Sequence, residues 1–246
     1  MTTDSRLRWR LRRCLPWSDG SGRPWPGWLR SAPFCAIYLI ASWVIFLPQA
    51  RPVPGNWVID TERVRPWLYD IPNLSQDFPR FLQSLVTATW LNHNVVQLAY
   101  VTLLLLLVGV RFEAREGTLR TMTVFFATTL VGAVVAGLLL HLLYPEFWSS
   151  PMAEKAWNRP WSGGSAGAFG LMGATAARAP VPWPLLAIFV LWEANVVYWY
   201  LHEYTPAFHI SALFAGYLLT RYLLPARRAS PARTAPGVST QRRSSV

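Results

Sequence analysis

The sequence predicts an all-α membrane protein built as a bundle of six transmembrane helices, and three observations carry that prediction. Hydrophobic residues make up 52% of the 246 and charged residues only 14%. The apolar residues fall in blocks, each near the ~20 residues that cross a bilayer. The formal charge of +11 is nearly all arginine, gathered in two tails and in the short turns between blocks. That distribution orients a membrane protein, so the positive charge is not read as a nucleic-acid surface. One membrane domain over 31–225 follows, flanked by basic cytoplasmic tails at 1–30 and 226–246 whose Arg, Ser and Pro content predicts disorder.

Taken in order, the first span is expected from about Pro33 to Phe46. It follows an arginine-rich start but no small-residue cleavage site comes after it, which makes it an uncleaved anchor. Residues 49–79 carry Trp57, Trp67 and Tyr69 with balanced charge and read as a segment lying in the membrane interface. The second span covers Leu91–Val110. The third covers Leu119–Tyr144, with Gly132, Ala136 and Gly137 as a small-residue stripe. A fourth, Gly163–Ala177, begins almost entirely in Gly, Ala and Ser, and Pro184–Tyr200 forms the fifth. The sixth, Pro206–Leu224, opens with Thr205 as N-cap and Pro206 at the first helical position. Cys14 in the basic tail and Cys35 in the first span would sit in different media, so they form no disulfide framework.

Charges counted loop by loop set the orientation. With both termini cytoplasmic, the inner side holds 17 basic residues against four acids, and the outer side six against seven. The starts of the second, fourth and sixth helices then lie at the outer face. Those starts carry nearly all the intramembrane polar groups, Ser165 and His209 above all. A hydroxyl and an imidazole are costly in hydrocarbon unless they pair or line a wet cavity. At 1.5 Å per residue Ser165 falls roughly 7 Å past Pro160 and His209 roughly 5 Å past Pro206, so the two can meet just below the surface. Gly163, Ala166, Gly167, Gly170 and Ala174 on one helix, with Ser211, Ala212, Ala215 and Gly216 on the other, give small faces that allow close backbones. Two readings stay open on these residues: ordinary helix packing in which Ser and His satisfy each other, or a serine activated by a neutral imidazole. The first turn of a helix favours that neutral form through its positive end.

The segments GGSAGAFGLMG (163–173) and AFHISALFAGY (207–217) resemble the rhomboid intramembrane serine proteases. Gly163, Ser165, Gly170 and Gly173 match the serine motif, and His209, Ala212 and Gly216 match the histidine followed by small residues. Glu113, Arg115 and Gly117 match the turn after the second helix, and Phe169 takes the place of the aromatic that stacks on the catalytic imidazole. The resemblance implies a rhomboid-like fold, a Ser165–His209 dyad, no cofactor and no metal. It also implies transmembrane-helix substrates that unwind within the bilayer and are cut near the outer face.

The departures are specific. Ala166 stands where the family has glycine. The family's H-x4-H-x3-N on the second helix, counted back from Glu113, falls here on Asn92, Gln97 and Val101. Gln97 can donate through its amide and Val101 cannot, so the oxyanion is expected to rest on Gln97 or on a rebuilt set of Asn92, His93 and Asn94, with backbone N–H groups at the start of the fourth helix. Arg80 is the nearest basic residue to the expected Trp-Arg pair of the first outer loop.

Other polar residues read as structural. His141 and His202 lie near outer helix ends as solvated interfacial side chains, and Glu193, inside the fifth span, is expected to pair with Asn195 or a neighbouring helix. No HExxH, CxxC or paired-carboxylate spacing supports a metalloprotease or aspartyl protease. Three function classes remain: an intramembrane serine endopeptidase, a rhomboid-like protein that binds transmembrane helices without cutting, and a small transporter, for which the inverted repeats are missing. The arginine-rich, nearly lysine-free composition hints at a bacterial plasma membrane.

The orientation is checked by thiol accessibility. With Cys14 and Cys35 replaced, Glu154→Cys is expected to react in intact cells with an impermeant reagent and Ser239→Cys is not. The reverse pattern overturns the orientation.

Overall fold

In the computed structural model, which describes residues 14–17, 31–199 and 204–225, a helix occupies each of the six apolar blocks. The expectations for the tails, His202 and Glu203 therefore lie almost wholly outside the described residues. In chain order the elements are α1 (Pro33–Phe46), a hairpin of β1 (Ala50–Val53) and β2 (Asn56–Ile59), α2 (Phe78–Thr87), and α3 (Val95–Glu116). They continue with α4 (Thr118–Leu143), α5 (Pro151–Asn158), α6 (Ser165–Ala176), α7 (Trp183–Trp199) and α8 (Thr205–Leu218), the last extended by one wider turn to Leu223.

The helices differ in reach. Among the described residues, only α3 and α4, with 22 and 26 residues, combine the length and apolarity of a full crossing. By contrast α6 has 12 residues, about 18 Å at 1.5 Å per residue, short of the ~30 Å hydrocarbon core. Its burial explains the shortfall. Every residue of α6 is buried, so it need not present a full apolar length to lipid, and the non-helical chain leading to it is tolerated where protein surrounds it. Outward faces are apolar instead: Ile37, Ile40 and Val44 of α1, Leu138 and Leu142 of α4, and Ile188 and Leu191 of α7 are all exposed. Unpaired apolar surface on this scale marks a face that meets something other than water.

The centre is a three-helix contact of α4, α6 and α8. A Cβ built on Gly216 would overlap the Gly170 carbonyl, one on Gly173 the Leu213 carbonyl, and one on Gly170 the Thr128 side chain. On the same α4-facing side as Gly170, a Cβ on Gly167 would meet the Phe125 ring at 2.6 Å and Thr129 Oγ1 at 2.7 Å. Ala212, fully buried, closes the α8 side. The extra methyl of Ala166 is accommodated by α4, because Gly132 leaves open the space in which its own Cβ would come 3.4 Å from those of Ala166 and Ala212.

Two buried carboxylates tie the helix ends opposite Ser165. Glu113, 1% exposed, accepts hydrogen bonds from the Phe34 and Cys35 N–H groups at 2.8 and 2.9 Å and from the Thr118 hydroxyl at 2.8 Å. It does for α1 what an N-cap side chain would do, since the capping position is Ala32. Glu116 receives Arg178 through both oxygens at 2.8 and 3.0 Å, with Arg120 at 2.9 Å. Arg178 also donates to the Leu224 carbonyl at 2.8 Å, so one guanidinium joins the ends of α3, α6 and α8.

At the other end the structure adds elements that the sequence reading held as an interfacial segment or a loop. The hairpin docks on the start of α3, with Ile59 N–H donating to the His93 carbonyl at 3.0 Å and Val58 bridging Asn94. Asp77 caps α2 and Ser150 caps α5 through the N–H groups of Arg80 and Ala153, both at 3.1 Å. Asn94 caps α3, whose first helical residue is Val95 and not Leu91. Thr205 does not cap α8. It is the first helical residue, the capping position is Tyr204, whose hydroxyl donates to the Ala136 carbonyl, and no side chain makes the capping bond; Pro206 fixes φ in the first turn.

Hydrogen bonds to a buried charge are worth ~1.5–3 kcal/mol each, and Glu113 makes three. Glu113→Ala is expected to lower the thermal midpoint in detergent by roughly 10 °C. An unchanged midpoint would mean that α1 is held by packing alone.

Candidate active site

Ser165 opens α6 directly; it does not lie a turn inside the helix. Residues 159–164 run non-helically because Trp161 pairs with Tyr69, N–H to carbonyl in both directions at 2.7 and 2.9 Å. Gly163 then turns at φ +115°, a backbone state that a side chain rarely adopts, and donates its N–H to the Ala88 carbonyl at 2.9 Å. That turn sets the direction of α6 and leaves Gly164, without a side chain, at its N-cap. The N–H groups of Ser165, Ala166 and Gly167 consequently have no intrahelical partner.

His209 is the fifth residue of α8 and reaches across to α6. Its Nε2 lies 2.8 Å from Ser165 Oγ. Phe169 stacks on the imidazole with centroids 4.4 Å apart and planes within 12°. Its Nδ1 lies 2.6 Å from Glu193 Oε1 of α7. Ser165, His209 and Glu193 are 8%, 2% and 1% exposed.

Ser165 and His209 border a cavity of about 590 Å³, walled by Gln97 and Tyr100 of α3, Trp192 and Asn195 of α7, and His93. Trp192 donates its indole N–H to the Tyr100 hydroxyl at 3.0 Å across that space. The family model for the Rhomboid domain matches residues 79–226, well over half of the chain. The chain belongs to the rhomboid family. No curated protein matches it. Rhomboids are integral membrane proteins, and the family is one of intramembrane serine proteases that act on transmembrane substrates.

Within this rhomboid the altered second-helix positions separate. Gln97 lines the cavity, donates from Nε2 to the Ser162 carbonyl at 2.7 Å and accepts the His93 N–H at 2.7 Å. One of its two amide hydrogens is thus committed to holding the loop before Ser165. Asn92 is buried beside Gly163, both side-chain polar atoms without a protein partner, and does not line the cavity. Val101 is fully buried in the apolar core. Asn94 spends its carboxamide oxygen on the α3 cap. His93 lies ahead of α3, where burial and then the Arg159 charge hold its imidazole below the ordinary histidine range.

Other singled-out residues sit apart. His141 stacks on Trp157 of α5 at 5.6 Å. Arg80 lies 4.0 Å from Asp70 and donates to the Arg65 carbonyl at 3.3 Å. Among the described residues no three His, Cys, Asp or Glu side chains are grouped to hold a metal. Tyr100 and Trp192 are among the cavity residues that the sequence did not announce. An aromatic in an apolar block gives no signal beyond span composition.

Proposed function

We propose that this rhomboid is an intramembrane serine endopeptidase in which Ser165 is the nucleophile and His209 the general base, carried by a bundle of six membrane-embedded helices with the site near the outer face. The observation that carries the reading is the 2.8 Å approach of Ser165 Oγ to His209 Nε2, both buried and both opening on one cavity. The first step moves the Oγ–H proton to Nε2 as Oγ bonds to the scissile carbonyl carbon. The protonated ring then gives that proton to the leaving amide nitrogen as the C–N bond breaks, and a water molecule repeats the sequence on the acyl-enzyme.

The oxyanion falls to the unpaired N–H groups at the start of α6 and to the second amide hydrogen of Gln97. The turn that aims those groups is held by the Ala88 carbonyl at Gly163 and by Gln97 at Ser162, with Asn92 buried beside it and its amide unspent. The cavity of about 590 Å³ between α3 and α7 supports an extended segment of a transmembrane helix as the substrate, the class on which the family acts. The second reading, a rhomboid-like protein that binds helices without cutting, is favoured by Val101, which removes one family donor outright.

A fluorophosphonate is expected to label the purified protein at Ser165, and Ser165→Ala and His209→Ala to abolish labelling. The double variant should be no worse than either single one, because each removes the same activated nucleophile. Gln97→Ala should slow cleavage about 10²-fold or more, the scale of one lost oxyanion donor, while substrate capture is unchanged. Labelling that survives His209→Ala rejects the dyad, and cleavage indifferent to Gln97→Ala rejects the oxyanion assignment.

A further inference from the structure

Glu193 is a carboxylate in the middle of an apolar helix, and such a group persists in a membrane span only where something holds it. Of the two partners expected, Asn195 or a neighbouring helix, it takes the second, on α8. Oε1 meets His209 Nδ1 at 2.6 Å with both side chains 2% exposed, while the other carboxylate oxygen has no protein partner. Glu193 does not line the cavity. It reaches the chemistry only through the ring, whose opposite nitrogen faces Ser165 and whose face rests on Phe169.

We propose that Glu193 is a positioning residue that turns the Ser165–His209 pair into a Ser–His–Glu triad. The inference rests on the serine-protease reading and adds a third group to it. A carboxylate only accepts, so Nδ1 must carry the ring proton, and Nε2 is left with the lone pair that takes the serine proton. When Oγ–H transfers to Nε2 the ring becomes cationic beside a fixed negative charge. The Nδ1 proton stays on the ring, and the Nε2 proton leaves with the amine. The arrangement also offsets the positive end of α8, which acts on the same ring. A merely structural pair would need none of this. A neutral Glu193 donating its own proton to Nδ1 would satisfy both groups equally well and would leave Nε2 protonated and unable to act as base.

The proton position therefore decides the matter, and it can be read on the wild-type protein. Nitrogen-15 NMR of histidine-labelled protein in micelles, at a pH where the ring is neutral and with His209 assigned from its loss in His209→Ala, is expected to show Nδ1 protonated and Nε2 bare. In Glu193→Gln the amide can donate as well as accept, so the Nε2–H form should appear. Cleavage of a transmembrane reporter should fall in kcat with KM little changed, by up to ~10⁴-fold, the scale seen when a triad carboxylate becomes an amide. Glu193→Asp should recover part of that loss. A wild-type ring protonated on Nε2, or an unchanged kcat in Glu193→Gln, overturns the proposal. Should wild type neither cleave nor react with a fluorophosphonate, the protease reading fails by itself, and the wild-type tautomer still decides whether Glu193 orients His209.

Discussion

The backbones of α6 and α8 touch at Gly170 and Gly216, where a side chain on Gly216 would run into the Gly170 backbone and drive the helices apart. Everything at the site hangs from that contact. Ser165 stands five residues above Gly170 and His209 seven above Gly216, lever arms of roughly 7 and 10 Å along their helices. A crossing widened by one methyl group would open the 2.8 Å separation of hydroxyl and imidazole beyond hydrogen-bond reach. Helix α4 makes the crossing possible from the third side, giving up its own bulk at Gly132 and presenting Thr128 and Phe125 to the glycine faces of α6.

The same economy governs the polar groups. In a medium without water a carboxylate has to be matched by donors, and Glu113 and Glu116 are matched by backbone N–H groups and arginines at the ends of α1, α3, α6 and α8. Those pairs brace one end of the bundle. At the other end the matching is left incomplete: the first N–H groups of α6 have no intrahelical partner and Asn92 has none in the protein. Under the proposed mechanism this is where unsatisfied donors are useful, since a developing oxyanion supplies the missing acceptor. Rigidity at one end and spare hydrogen-bonding capacity at the other are two uses of one constraint.

Much of this was legible in the sequence, for reasons that differ residue by residue. Ser165, His209 and Phe169 could be read because small residues recur at helical spacing around them and carry the family pattern, and the distances agree with that pairing. The six apolar blocks foretold six helices, but composition could not foretell that α6 is too short to cross, because burial on all sides depends on neighbours. Glu193 was visible as an oddity with Asn195 or a neighbouring helix as its expected partner, but His209 was not singled out. Its helix is apolar on every side, so no periodicity reveals which face turns inward. The hairpin of residues 50–59 escaped notice because four-residue strands offer too little alternation to detect. Trp161 and Tyr69 pair across more than ninety residues, and that pairing is what moved Ser165 to the very start of its helix.

The central claim is that the buried Ser165–His209 pair cuts peptide bonds inside the membrane. The most direct measurement is incubation of the purified protein in liposomes with transmembrane reporters whose upper turns are unstable, with the products identified by mass. The account predicts new termini within the reporter's membrane segment, near the outer face, formed by the wild type and not by Ser165→Ala. Reporters held intact by the wild type and by Ser165→Ala alike would contradict it and leave a helix-binding rhomboid in its place.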